Sequence, residues 1–163
     1  EFQTGKNALT TSGADEVSFV MSANAGEALG PISRIASGGE LSRIMLAIKT
    51  VLAEHDDTPT MIFDEIDTGI SGRAAQKVGK KLSELAEKRQ VICVTHLAQI
   101  AALSDNHLLI EKKTDENRTY TTVHTLDYYE KVREIARIIS GDATNDVSLR
   151  NAEELIKNKE RQI

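Results

Sequence analysis

Two short apolar runs, Met61-Ile62-Phe63 and Val91-Ile92-Cys93-Val94, constrain this chain more than any other feature, because a segment of helical periodicity lies between them. Short continuous apolar runs bounded by turn residues suit strands buried on both faces, as in a parallel sheet. Pro59 precedes the first run, where a strand can begin. Between the runs, Arg73 to Lys88 carries Ala75, Val78, Leu82, Leu85 and Ala86 on one helical face. Lys80, Lys81, Glu84, Glu87 and Lys88 form its solvated face. Strand, helix and strand within the length of a βαβ unit predict two parallel strands joined by a right-handed crossover.

Both runs turn polar at their carboxyl ends. The first passes into Asp64, Glu65 and Asp67, the second into Thr95 and His96. Parallel strands end on the same side, so the acid pair Asp64–Glu65 and His96 are expected on one sheet edge. In open α/β sheets that edge is where ligands bind. Unpaired buried carboxylates are costly, and a hard cation such as Mg²⁺, which arrives with phosphates, gives a reason to gather them there. A lone histidine is usually only a satisfied polar residue; one beside an acid pair is a site candidate.

Upstream, Ser37-Gly38-Gly39-Glu40 has capping-box spacing, Ser37 as N-cap and Glu40 three residues on. Leu41, Ile44, Met45, Ile48 and Leu52 follow at helical spacing, predicting an amphipathic helix to about Glu54. Two glycines in the first turn admit close approach, and a helix N-terminus favours anions. The bland reading is a well-capped helix and nothing more.

The remaining chain divides readily. Glu1 to Ala14 reads as a loop or frayed end, Val17 to Met21 as a strand, and Asn24 to Pro31 as a loop. Leu97 to Leu103 reads as a short helix. His107 to Lys112 and Tyr120 to Leu126 are strands of a hairpin. Tyr129 to Ser140 is a helix ended near Gly141, and Asn145 to Lys159 a last one. His107 and His124 lack partners at ligand spacing and read as structural. The length of 163 residues suits a single domain over 1–163, and 4% aromatic content requires an aliphatic core. A net charge of -5 argues against gripping nucleic acid by charge alone. No apolar stretch is long enough to span a bilayer, no signal peptide is recognisable, and the single Cys93 fits a reducing compartment.

The order of three elements is more specific than any one of them. The Ser-Gly-Gly-Glu helix start, the strand ending in Asp-Glu and the strand ending in Thr-His resemble the signature motif, Walker B with D-loop, and switch histidine of an ABC-type ATPase head. Ile35-Ala36-Ser37-Gly38-Gly39-Glu40-Leu41-Ser42-Arg43, Phe63-Asp64-Glu65-Ile66-Asp67-Thr68-Gly69-Ile70-Ser71-Gly72-Arg73 and Val94-Thr95-His96-Leu97-Ala98-Gln99-Ile100-Ala101 resemble the RecN family of bacterial, SMC-like DNA repair ATPases. The likeness runs from about Asp15 to the last helix. It implies an α/β fold: the C-terminal lobe of an ABC/SMC-type P-loop ATPase head, a mainly parallel sheet with flanking helices and a C-terminal hairpin.

It also implies roles. Asp64 matches the acid that holds Mg²⁺ through water, Glu65 the general base, and His96 the histidine that contacts the γ-phosphate. Ser37, Gly38, Gly39 and Glu40 match the signature that caps ATP on a second head. Asp67, Thr68, Gly69, Ser71 and Gly72 match the D-loop at the interface between heads. The expected cofactors are ATP and Mg²⁺. The expected partners are the N-terminal lobe of the same head, a second head in an ATP-dependent homodimer, and DNA, with no membrane, in the bacterial cytoplasm at the nucleoid.

The chain departs from the family pattern in having no G-x-x-x-x-G-K-[ST] loop. It is therefore expected to be the C-terminal half of a split head, neither binding ATP tightly nor hydrolysing it alone. Two rival readings stand beside this one. A Mg²⁺-dependent nuclease or topoisomerase-like site would use Glu65 and Asp67 as an acidic cluster. A non-catalytic docking module would need no Asp-Glu pair.

Overall fold

A computed structural model describes residues 2–4, 11, 13, 15–22, 26, 28–35, 37–53, 55–115, 118–141 and 145–160. The chain opens with short pairings: β1 (Phe2–Thr4) runs antiparallel to β2 (Asp15–Val17), and β3 (Val20–Met21) to β4 (Gly30–Pro31). The expected 1–14 loop thus contains a strand at 2–4; most of the rest of it lies outside the described residues. The expected single strand over 17–21 is split between β2 and β3, since Ser18 and Phe19 belong to neither strand. The expected 24–31 loop ends in β4, and 24, 25 and 27 lie outside the described residues.

A four-residue helix, α1 (Ile32–Ile35), leads to α2 (Gly38–Val51), whose N-cap is Ser37 as expected. Next come β5 (Thr60–Phe63), α3 (Gly72–Ala86) and β6 (Gln90–Cys93). β5 and β6 pair in parallel, Phe63 opposite Cys93, and the ladder continues as Val94 N–H donates to Phe63 O at 3.0 Å. The short α4 (Ala98–Ala101) follows, then a hairpin of β7 (His107–Asp115) and β8 (Arg118–Leu126). Both hairpin strands extend beyond their apolar stretches. The chain closes with α5 (Tyr128–Ser140) and α6 (Asp146–Glu160). α5 starts on a second capping box, Asp127 with Glu130, and stops at Gly141 with φ 72°.

The sheet expectation needs two corrections. Among the described residues only β5–β6 is a parallel pair; the other three pairs are antiparallel, so the sheet content is not mainly parallel. Nor is β5 buried on both faces. Met61 and Phe63 point into the core, while Ile62 is 70% exposed and Ile92 and Val94 are exposed beside it. An uninterrupted apolar run states that both faces want cover; it does not say that this chain supplies both.

The apolar interior is two clusters joined at α4. Leu46, Met61, Phe63, Ile66, Ala75, Leu82 and Leu85 pack with Ile100 of α4. Ala98 and Ala101 of the same helix pack with Ala102, Val132, Ile135, Ala136, Ala152 and Ile156. Ile66 and Ile135 are the largest fully buried side chains, each contributing about 1.5–3 kcal/mol by burial. Ile66 matters for the site: it anchors the loop that leaves β5.

Candidate functional site

The site grows out of the loop after β5. Asp64 is exposed, and its Oδ1 accepts the Glu65 N–H at 2.8 Å. Glu65 has φ 57°, the one non-glycine residue of positive φ among the described residues. This left-handed step costs about 1–2 kcal/mol for a side chain with a Cβ. The chain then turns inward: Ile66 is 0% exposed and Asp67 3%. Thr68 N–H closes the turn on Glu65 O at 3.0 Å, and Ile70 N–H bonds Asp67 O at 3.3 Å. Gly69 and Gly72 both take positive φ, and Ser71 is the N-cap of α3.

α2 holds this loop from one side. Ser42 Oγ donates to Asp64 O at 2.8 Å, and Arg43 Nη1 donates to Ile66 O at 3.1 Å and Thr68 O at 2.8 Å. Neither residue was assigned a role from sequence. Gly39 is buried where the helix meets the loop: a Cβ there would lie 2.8 Å from Glu65 O and 3.0 Å from Thr68 O. Gly38 is exposed, and the space its Cβ would take is filled by the Glu65 carboxylate. Gly38 therefore faces outward and Gly39 does not, because the loop backbone has come into the space beside it.

The capping box at this helix start is complete. Glu40 N–H donates to Ser37 Oγ at 3.4 Å, and Ser37 N–H and Oγ both donate to Glu40 Oε2, at 2.8 and 3.0 Å. Those bonds from Ser37 hold the Glu40 carboxyl below the usual carboxylate range. With the Glu65 carboxylate over Gly38, two acids lie at the positive end of α2, the arrangement its dipole favours.

β6 supplies the other side. Asp67 Oδ2 accepts from Thr95 Oγ1 at 2.6 Å and from the His96 N–H at 2.8 Å, and His96 Nδ1 lies 3.0 Å away. Thr95 Oγ1 accepts the Leu97 N–H at 3.1 Å. The His96 side chain is 74% exposed, so the ring faces Asp67 at Nδ1 and is open elsewhere. Cys93 sits behind this group; burial first, then the charges of Asp67 and Asp64, push its thiol up to about 11, which leaves it a protonated, inert filler.

The structure thus gathers Asp64, Glu65, Asp67, Thr95 and His96 at one end of the parallel pair, with the start of α2 against the same loop. Thr68, Gly69, Ser71 and Gly72 continue from it along the loop surface toward α3, whereas Asp67 is interior and cannot line a surface in this chain. Asp64 offers one exposed carboxylate, with one oxygen tied to the backbone. Among the described residues no group of three or more His, Cys, Asp or Glu side chains is arranged to hold a metal. Mg²⁺ commonly takes only one or two carboxylates and completes its shell with phosphate and water, so a single exposed carboxylate fits that mode. Among the described residues no helix is long and apolar enough to cross a membrane.

No protein-family profile matches the chain. Curated relatives do. DNA repair protein RecN of Bacillus subtilis is 48% identical over 149 residues, 91% of this chain and 26% of that protein. RecN of Deinococcus radiodurans is 51% identical over 144 residues, 88% of this chain and 25% of that protein. RecN of Treponema pallidum is 46% identical over 160 residues, 98% of this chain and 28% of that protein. The chain spans about a quarter of the length of these relatives. Among solved structures, one from work on ATP-driven dimerization and DNA-stimulated activation of SMC ATPases overlays 73% of this chain and 71% of its own, with TM-score 0.49 and 21% identity.

Proposed function

Because the chain is a segment of RecN type, we propose that it forms the C-terminal lobe of an SMC-like ATPase head in a bacterial DNA repair protein acting on double-strand breaks and in recombination. The observation that carries this reading is the meeting of Asp64, Glu65 and His96 at one sheet edge, against the glycine-fronted start of α2. Phosphoryl transfer needs a metal to neutralise phosphate charge, a positioned water and donors on the γ-phosphate, and these residue types serve those needs. Asp64 would hold Mg²⁺ through water, Glu65 would take the proton of the attacking water, and His96 would donate to the γ-phosphate. Ser37, Gly38, Gly39 and Glu40 would cap ATP bound to a second head, with Thr68, Gly69, Ser71 and Gly72 along the contact between heads.

The uncovered face of β5–β6, with Ile62, Ile92 and Val94 exposed, supports an N-terminal lobe of the same head as the partner that packs there and brings the phosphate loop. DNA is the expected third partner, and the expected location is the cytoplasm at the nucleoid. The nuclease alternative is less well supported: Asp67 is buried and bound to Thr95 and His96, so it does not join Glu65 in an exposed acidic cluster.

The test is Glu65→Gln in the full-length protein. Loss of a positioned base costs about 10²–10⁴-fold. ATP turnover is expected to fall by that factor while ATP binding and head pairing persist. Unchanged turnover would remove Glu65 from the chemistry and favour a docking role.

A further inference from the structure

The loop after β5 carries one acid that the roles above leave without chemistry. Asp67 is almost fully buried, and one of its oxygens accepts the Thr95 hydroxyl and the His96 N–H and lies 3.0 Å from His96 Nδ1. We propose that Asp67 is the positioning residue for His96, fixing which ring nitrogen is spent inside the protein and which is left for the ligand.

The geometry supports this in three ways. First, the contact engages Nδ1 and leaves Nε2 as the ring nitrogen available to an incoming oxygen, on a side chain that is otherwise 74% exposed. Second, the same oxygen holds the backbone N–H and the ring of one residue, so rotation of the imidazole about its own χ angles is resisted at both ends. Charge-assisted bonds of this kind are about twice as strong as neutral ones. Third, Asp67 is itself fixed. Its neighbour Ile66 is fully buried, and Arg43 clamps the carbonyls of Ile66 and Thr68 on either side of it. The clamp therefore runs from α2 through the loop to the histidine, and the start of α2 and the imidazole are set relative to each other by one rigid segment.

This rests on the reading of His96 as a γ-phosphate donor, and a double-mutant cycle in the full-length protein separates the two. Misplacing a reacting contact by about 1 Å costs up to about 10²-fold. Asp67→Ala is expected to lower ATP turnover about 30- to 100-fold. Asp67→Asn keeps a single neutral acceptor and is expected to lose about 3- to 10-fold, so it stands in if the alanine variant does not fold. In a His96→Ala background either change should cost less than about 2-fold, because the residue acted on is gone. An equal loss in both backgrounds would make Asp67 merely structural and overturn the proposal. If His96→Ala alone leaves turnover unchanged, the reading of His96 fails, and this proposal falls with it. A second readout is independent of turnover. Hydrogen exchange at the His96 amide is expected to quicken in both Asp67 variants while amides of α3 stay protected. Unaltered exchange at His96 would also overturn the proposal.

Discussion

Among the described residues, the front of the molecule, formed by α2, β5, α3 and β6, and the back, formed by α5 and α6 with the hairpin, each bury one charged residue, and they treat it differently. In front, one oxygen of Asp67 accepts two hydrogen bonds, lies 3.0 Å from His96 Nδ1, and sits in a loop pinned from both sides. At the back, Lys131 is 8% exposed, and its Nζ donates to Ser104 O at 2.5 Å. Burial, then the charge of Lys159, pulls its ammonium down to about 8, with Asp105 pulling the other way. Beside it Lys159 is paired with Asp105, and His107 Nδ1 is buried without a partner. A buried charge that is well bonded sets geometry; one that is thinly bonded costs stability and titrates early. The apolar parts differ too. The cluster between α5 and α6 closes around Ile135, whereas β5–β6 leaves one side of its sheet uncovered, and the hairpin likewise leaves Leu108, Ile110 and Val123 exposed.

The largest expected effect tests that closure. Ile135→Ala in the back cluster should cost about 2–5 kcal/mol in denaturant unfolding of this chain, since Ile135 is fully buried. Ile62→Ala, on the open side of β5, should stay within about 0.5 kcal/mol. Equal costs would mean that the front is covered in solution by something else, such as a second copy.

Next in size is the glycine pair. Gly39→Ala drives a Cβ into loop backbone and should destabilise by about 1–3 kcal/mol. Gly38→Ala meets only the movable end of Glu65, so its stability cost should be clearly smaller. Thermal unfolding of the two variants ranks them; a reversed order would break the account of how α2 seats on the loop.

The smallest effect is a pH slope. Lys131 is deprotonated near 8 when folded but ordinarily only near 10.5. Between those values the unfolded chain binds more protons, so stability should rise with pH there and level off above. Lys131→Met should flatten that rise. The lost bond to Ser104 O works against any gain at neutral pH, which makes the slope, measured by unfolding at pH 7 to 10.5, the diagnostic.

Local chemistry made much of this legible. Ser37 and Glu40 announced the start of α2, and the parallel pairing of β5 and β6 followed from strand, helix and strand in one short span. The same capping spacing at Asp127 and Glu130 starts α5, but it lies directly against the end of an alternating strand and is masked by it. What could not be read was which neighbours a residue meets. The run from Met61 to Phe63 asks for cover on two sides, and only packing reveals that one is absent. Asp67 stands among exposed loop residues in the sequence, and nothing local says that Thr95 and His96, 28 and 29 positions on, fold over it. The seating of Gly39 and the clamp from Arg43 are likewise long-range facts.

The backbone at Glu65 has one further consequence. Its left-handed conformation would suit glycine or asparagine better than a glutamate. A laboratory selection that rewarded heat resistance alone would be drawn to exchange this side chain, gaining a calmer backbone and losing the carboxylate. Any hardened descendant of this chain should therefore be sequenced at position 65 before its silence is blamed on anything else.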